Sequence, residues 1–488
     1  RMVERIVGRE GFQDGLRHFL QRFAYSNADH FDLLSALTES QSKIEKNSLT
    51  QQNFSLAEVI ETWIYQKGVP LLTVKAAPLG SPDRAVASQQ KLELAPSLHS
   101  ENSQWKIPLF LRDPQLHTPQ VHWLCENETL ELDLSEDVVL DRDVRAYVRI
   151  IYDRPTYLRI ISTLQHQTHR IPVASRARLV DDSFTFAEYG FLDYQVLFRI
   201  LQHNFQELAY VPVLLTNAHL EPFRVHLMHS AGVELLNKFI INIFGSHFEQ
   251  SIETNKTSSL YQDSLPRSIL QMLCHAGYDP CLRHGLNQFA RLRNSCNSSF
   301  LSDHICNFIP THLRTPVYMA AAMRGSGEDM EYLVEKWKAE PYSRERERLF
   351  LGLIACENKS IVYQLFRELL FNPSNPDELH QHLLEYTRFG HENNHFRSFV
   401  IDNLDALLSR FKSVYRILKI MLLAFSRSYH NFDGYEEYLR VERRFNESPG
   451  FSLPGPSQFE RLTQVLTWRR EMMPLVISNL TAALSWFP

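Results

Sequence analysis

A chain of 488 residues is long for a single hydrophobic core, which sets an expectation of two to four domains. Hydrophobic content of 44%, charged content of 22% and a net charge of −5 describe an ordinary globular surface and exclude the basic excess of a nucleic-acid-binding face. No apolar run reaches the length of a bilayer span; the best, Ile417 to Phe425, is interrupted by Lys419.

The first residues, Arg1 to Val7, are amphipathic and charged, unlike a signal peptide, and read as a helix entered partway, as in a fragment. Gly11 to Ala24 places Phe12, Leu16, Phe19, Leu20 and Phe23 on one helical stripe. A second helix, opened by Ser26 or Asn27, carries Phe31, Leu34 and Leu37. Ser55 and Glu58 have capping-box spacing, and Leu56, Val59, Ile60 and Trp63 form the buried face of the helix that follows. Gly68 and Pro70 end it, and a strand begins at once.

The hydrophobic period then falls to two. Trp105, Ile107, Leu109 and Leu111 alternate, as do Leu130, Leu132 and Leu134, and Val144 to Tyr152 is strand-like. Residues 76–104 read as loops with one short strand. Residues 71–153 are therefore expected to be a small antiparallel β-sandwich. From 154 to 488 the pattern is helical, in segments with short Gly, Pro, Asn or Ser punctuation and no fixed repeat. That predicts an irregular array of antiparallel helix pairs, HEAT- or armadillo-like and superhelical, in a mainly α chain.

Six cysteines and seven Asn-x-Ser/Thr sequons bear on compartment. Cys274 and Cys281 flank a Gly277–Pro280 turn that suits a disulfide, and Cys296 and Cys306 suit a second small loop. The alternative is six reduced, buried thiols. Glycosylation candidates are Asn53, Asn127, Asn255, Asn297, Asn358 and Asn479; Asn446 is weakened by Pro449. Together these favour a secretory, extracellular or plasma-membrane ectodomain setting.

Three blocks carry a family resemblance. Trp63-Ile64-Tyr65-Gln66-Lys67-Gly68-Val69-Pro70 resembles a tryptophan-x-x-glutamine-x-glycine-x-proline turn; Tyr147 to Asp153 resembles the strand that closes a sandwich. Arg176-Ala177, Leu179 to Asp182, Phe184, Ala187, Gly190, Tyr194, Glu207, Tyr210 and Pro212 resemble the opening of a large helical domain. In this order they are similar to the C-terminal portion of zinc aminopeptidases of the aminopeptidase N and endoplasmic-reticulum aminopeptidase family, the gluzincin metallopeptidases. The resemblance implies the last helices of a truncated catalytic domain at 1–70, the β-sandwich at 71–153 and an α-helical domain at 154–488. It implies a parent enzyme that releases N-terminal amino acids from peptides, with the helical domain enclosing the active site and restricting access. Homodimerisation through that domain is a further expectation. The zinc and its ligands belong upstream of Arg1, leaving no catalytic residue or cofactor within the chain. Val213 and Ser175 depart from the family pattern, and Met319 stands where a second family disulfide would pair with Cys356. These departures keep open an alternative, a catalytically inactive relative acting as a helical binding or scaffold protein.

One literal metal motif does occur, His391-Glu392-Asn393-Asn394-His395. It follows Gly390, contains two poor helix formers, and has no Asp or Glu near Val414 to serve as third ligand. It reads as a chance motif in an inter-helix turn. His380 and His382 read as a solvated turn, Asp181-Asp182 as helix-start electrostatics and ion pairing, and Arg344 to Arg348 as an exposed charged helix face.

Overall fold

The computed structural model describes residues 1–41, 55–77, 84–93, 103–112, 119–135, 138–204, 209–253, 260–303, 306–372, 376–389, 394–447 and 458–487. It divides into two compact units, Arg1–Pro212 and Val213–Pro488. The chain is mainly helical with small sheets.

In the first unit, helices α1 (Met2–Val7), α2 (Arg9–Arg22), α3 (His30–Gln41) and α4 (Leu56–Ile64) precede the strands. The capping box forms on α4: Ser55 Oγ accepts from the Glu58 N–H at 3.1 Å, and the Glu58 carboxylate accepts from the Ser55 N–H at 2.8 Å. Ser55 donates to that carboxylate through backbone and side chain, which holds the Glu58 pKa down. Helix α4 stops at Ile64, so Gly68, with φ 107°, serves the turn into β1 rather than the helix cap.

Two expectations for the first helices need correction. Helix α3 is opened by Asp29, whose carboxylate accepts from the Phe31 and Asp32 N–H groups, not by Ser26 or Asn27. The aromatic stripe of α2 is not its buried face. Gly11 and Gly15 are buried instead, and a Cβ on Gly15 would lie 2.7 Å from Leu37 Cδ2. Leu20 is 67% exposed. Close backbone approach between α2 and α3 won over side-chain burial.

Strands β1 (Pro70–Ala76), β2 (Arg84–Lys91), β5 (Thr129–Asp133) and β6 (Arg149–Tyr152) form a sheet in the order β5-β2-β1-β6; β3 (Ile107–Arg112) and β4 (Pro119–Leu124) form a second, antiparallel one. All pairs are antiparallel except β1 with β6, which run parallel with Leu72 opposite Ile150. The strand expected from Val144 begins only at Arg149. Val144 has φ 52°, and the Asp141 carboxylate takes the Arg145 and Ala146 N–H groups that a ladder would need.

Two glutamine amides bind these layers. Gln66 donates to the Thr62 and Gln104 carbonyls and accepts from the Gln104 N–H, tying the end of α4 to the residues before β3. Gln89 of β2 donates to the Trp105, Leu124 and Cys125 carbonyls and accepts from the Trp105 N–H, joining the two sheets. One core lies around Leu72, Trp105, Leu109 and Ile150 and extends to Tyr157, Ile160 and Leu179 of the next helices, α5 (Arg154–His166) and α6 (Val173–Glu188). A second joins Leu37, Val59 and Ile60 to Phe110 and Trp123. The boundaries expected at 70 and 153 both lie inside this unit. Helix α7 (Tyr194–Asn204) packs on α5 and α6.

Helix α8 (Tyr210–Leu227) spans the division between units. The second unit continues with α9 (Ala231–Phe244), α10 (Phe248–Ile252), α11 (Leu260–His275), α12 (Asp279–Ser295), α13 (Thr311–Arg324), α14 (Gly327–Ala339) and α15 (Ser343–Leu353). Then come α16 (Lys359–Phe371), α17 (Pro376–Phe389), α18 (His395–Asp402), α19 (Leu404–Phe411), α20 (Tyr415–Ser426), α21 (Tyr435–Asn446), α22 (Gln458–Glu471) and α23 (Met473–Leu484). Helix α13 packs on α11, α12 and α15, and α9 on α23. Glycines set the closest approaches: a Cβ on Gly352 would lie 2.6 Å from Tyr318 Cβ, and one on Gly285 2.5 Å from Ala320 Cβ. No described helix is long and apolar enough to cross a membrane.

Candidate functional site

Among the described residues no group of three or more His, Cys, Asp or Glu is arranged to hold a metal ion. His391 and Glu392 lie outside the described residues. His395 opens α18, and its Nε2 donates to the Glu357 carbonyl at 3.0 Å, which commits that nitrogen. The described donor set does not fit a zinc centre, which needs three protein ligands around one point.

His380 and His382 lie on helix α17, not in a turn. His382 is buried edge-on against Phe350 with ring centroids 4.5 Å apart, and its Nδ1–H donates to the Glu378 carbonyl. Burial lowers its pKa, so the ring is neutral core material.

The charged run Arg344–Arg348 is also more than a solvated face. Glu345 is fully buried at 0% exposure and Arg346 is buried beside Glu378. Glu345 accepts from Arg314 Nη1 at 2.9 Å, from the Tyr318 hydroxyl at 2.7 Å and from Arg348 Nη1 at 2.7 Å. The Arg314 guanidinium also donates to the Ile309, Leu301 and Asn307 carbonyls. Burial and the Glu345 charge hold the Tyr318 pKa far above its usual value, so the hydroxyl remains a donor. One buried arginine thus pins the α12–α13 connection to α13 and α15.

A second buried cluster joins α8 to α11. His275 Nδ1 lies 2.7 Å from Glu221 Oε2, and Arg224 Nε lies 3.5 Å from the same oxygen. Burial pushes the Glu221 pKa up, but His275 and Arg224 outweigh it and hold the group below its ordinary value. In the first unit, Asp182 accepts from Arg149 Nη1 at 2.7 Å and from the Ile150 N–H at 3.0 Å, and Asp181 also pairs with Arg149. Burial raises the Asp182 pKa to about 6, offset by Arg178, the Ile150 N–H and Arg149. The expected ion pairing is present, but these aspartates lie well inside α6, which starts at Val173, so they lock helix to strand rather than serving a helix start.

Disulfides join Cys274 to Cys281 across the α11–α12 turn, Cα–Cα 5.3 Å, and Cys296 to Cys306, Cα–Cα 4.9 Å. Cys125 and Cys356 are thiols outside these two disulfides. Burial pushes both pKa values up, with Glu128 adding at Cys125, so neither is an activated nucleophile. Met319, 1% exposed, sits in the core of α13. Of the sequons, Asn53 and Asn255 lie outside the described residues. Asn127 occupies an exposed turn with φ 55°, Asn297 is exposed after α12, and Asn358 caps α16. Asn479 lies within α23 and donates to the Leu475 carbonyl.

Among the described residues the geometry assembles structural locks. Its buried Arg–Glu and His–Glu pairs escaped the sequence reading because the partners lie 31 and 54 residues apart.

Residues 138–458, well over half of the chain, match the ERAP1-like C-terminal domain, and residues 1–63 match the peptidase family M1 domain. Aminopeptidase Ey of Gallus gallus is 23% identical over 77% of this chain and 38% of its own length. Membrane alanyl aminopeptidase of Manduca sexta is 25% identical over 71% of this chain and 34% of its own. Endoplasmic reticulum aminopeptidase 2 of Homo sapiens is 23% identical over 75% and 39%. The chain therefore spans less than half the length of each of these relatives. With both family models matched in that order, it belongs to the M1 aminopeptidases, of which it is a C-terminal portion carrying the ERAP1-like domain.

Proposed function

We propose that this chain is the C-terminal region of a zinc-dependent aminopeptidase that releases N-terminal amino acids from peptides. In this reading the helical domain encloses the active site and restricts which substrates reach it. The observation that carries it is the order of the two matches, the end of an M1 domain at 1–63 followed by the ERAP1-like domain at 138–458. Those limits support a division into 1–70, 71–153 and 154–488. In the same reading the zinc is held by a part of the parent outside this chain, and no step of peptide cleavage is assigned to residues here.

A wall of this kind has to hold its shape in water, and buried ion pairs crossing helix layers, close glycine contacts and two disulfides supply that rigidity. Relatives named as a membrane enzyme and an endoplasmic-reticulum enzyme, with the disulfides, support a secretory setting. Homodimerisation through the helical domain is part of the proposal.

The test is aminopeptidase turnover of an aminoacyl fluorogenic substrate and of peptides of increasing length by the full-length parent. Selective loss of length discrimination when the helical domain is altered supports the reading. The competing scaffold reading is motivated by Val213 and by Met319, which stands where the family resemblance would bridge to Cys356. It predicts no turnover from a parent that still folds.

A further inference from the structure

The last helices of the second unit return to its first. Arg469 of α22, 6% exposed, donates from Nη1 to the His226 carbonyl at 2.8 Å and from Nη2 to the Met228 carbonyl at 2.6 Å. These oxygens stand at the C-terminal end of α8, where a helix leaves carbonyls without backbone donors, and one guanidinium takes two of them. Beside it the Trp468 ring meets His226 at 5.1 Å and Phe223 edge-on at 6.1 Å between centroids. Helix α23 packs on α9: a Cβ on Gly232 would lie 3.3 Å from Ile477 Cγ1, and Phe487, just past α23, meets Phe239 at 5.8 Å. Residues 226 and 469 are 243 apart in sequence, so this junction clasps the two ends of the unit together.

The charges at the clasp are of one sign. His226 faces Arg427 from the end of α20 and Arg469 from α22; burial and these two cations push its pKa down to about 4. Arg427 donates to the Thr387 carbonyl of α17. Burial also lowers the Arg469 pKa, and among the described residues no carboxylate offsets it. His430, four residues past α20, sets its ring 4.2 Å from that of His229, two residues past α8. The carboxylates of the adjoining elements are committed elsewhere: Glu221 of α8 to Arg224 and to His275 of α11, Glu385 of α17 to Gln381, Glu471 to Arg470 and Asp433 to Asn431. Glu234 and Lys238 of α9 and Glu460 of α22 are exposed, and α23 carries no ionisable side chain.

We propose that this junction is an acid-released clasp: it holds α22 and α23 against α8 and α9 while His226, His229 and His430 are neutral, and their protonation frees those two helices while the rest of the unit stays folded. A protonated His226 is a third cation beside two guanidiniums, and protonated His229 and His430 are two like charges ring to ring. Once α22 leaves, the His226 ring is hydrated and regains an ordinary pKa near ~6.5. The released form therefore binds more protons, so the clasp is intact above that pH and weakens as pH falls toward 4. For His226 alone, the opening constant should rise about 20-fold between pH 7 and pH 5. Helices α11 to α15 are held by the two disulfides and the Arg314–Glu345 pair instead.

The test is hydrogen exchange of the full chain at pH 7 and pH 5, followed by mass spectrometry and expressed as protection factors. Helices α22 and α23 should lose protection about 20-fold or more on acidification and regain it at pH 7, with α13 and α15 unchanged. H226F keeps a ring against Trp468 but takes up no proton, so the loss should shrink to the share of His229 and His430. H226F/H229N should remove it, asparagine being suited to the φ of 56° at residue 229. R469M, which strips both hooks, should leave α22 and α23 poorly protected already at pH 7. An equal acid loss in α13 and α15, an undiminished loss in H226F/H229N, or full protection of α22 and α23 in R469M overturns the proposal.

Discussion

Replacing Arg314 by methionine tests how the helical unit is held. Arg314 is 2% exposed and its guanidinium makes four hydrogen bonds, one to Glu345 and three to the Ile309, Leu301 and Asn307 carbonyls. Removing one member of a buried ion pair costs about 3–5 kcal/mol. Here Arg348 and Tyr318 still reach Glu345, each at 2.7 Å, which brings that contribution to about 2 kcal/mol. Leu301 keeps a donor in Asn307, but the Ile309 and Asn307 carbonyls lose theirs, adding about 1 kcal/mol each. The expected cost is about 4 kcal/mol. Urea denaturation of the full chain, with hydrogen exchange followed in α13 and α15, measures it. R314M/E345M removes the buried carboxylate together with the guanidinium but takes the acceptor from Arg348 and the Tyr318 hydroxyl, so it should cost less than the sum of the two single substitutions. An R314M protein within about 1 kcal/mol of the parent would refute the reasoning, as would a double variant that merely sums the single costs.

Three further outcomes follow from the geometry. Gly352→Ala should cost about 2 kcal/mol, since the new methyl meets Tyr318 Cβ at 2.6 Å and its backbone carbon at 2.9 Å; a neutral effect in a denaturant melt would show that α13 and α15 separate easily. Removing the Cys274–Cys281 bridge by double serine substitution should cost about 2 kcal/mol. Non-reducing peptide maps should show that link intact and Cys356 as a thiol that alkylates only after unfolding. His226 is half-buried against Trp468, and burial together with Arg427 and Arg469 pushes its pKa down to about 4. In the unfolded chain it takes up a proton near ~6.5, so its contribution is present above that pH and lost as pH falls toward 4. The loss should be about 2 kcal/mol, and thermal melts of His226→Phe should be flatter over that range.

What was legible in the sequence was local. The Ser55–Glu58 box needs only residues three apart, and the change of period after Pro70 places the strands without knowledge of their partners. Strand β4, only six residues long and opened by Pro119, gave too short a pattern to be read. The parallel pairing of β6 with β1 and its late start at Arg149 depend on Asp141 capturing backbone N–H groups, which no hydrophobic pattern reports. Glu345 and Arg346 read as a charged surface because their partners, Arg314 and Glu378, are distant in sequence. Helix α2 misled for a related reason: its periodic aromatics are real, but Gly11 and Gly15 let α3 approach on another face. The family was readable from ordered motifs, whereas the buried locks required the fold.

The most direct test of the central claim measures zinc content and aminopeptidase turnover side by side, in this chain alone and in the full-length parent. The account predicts no stoichiometric zinc and no turnover for the chain alone. It predicts one tightly held zinc and hydrolysis of an aminoacyl substrate in the parent, unchanged by His391→Ala or His395→Ala. A zinc ion that copurifies with the isolated chain and is lost on either substitution would contradict it.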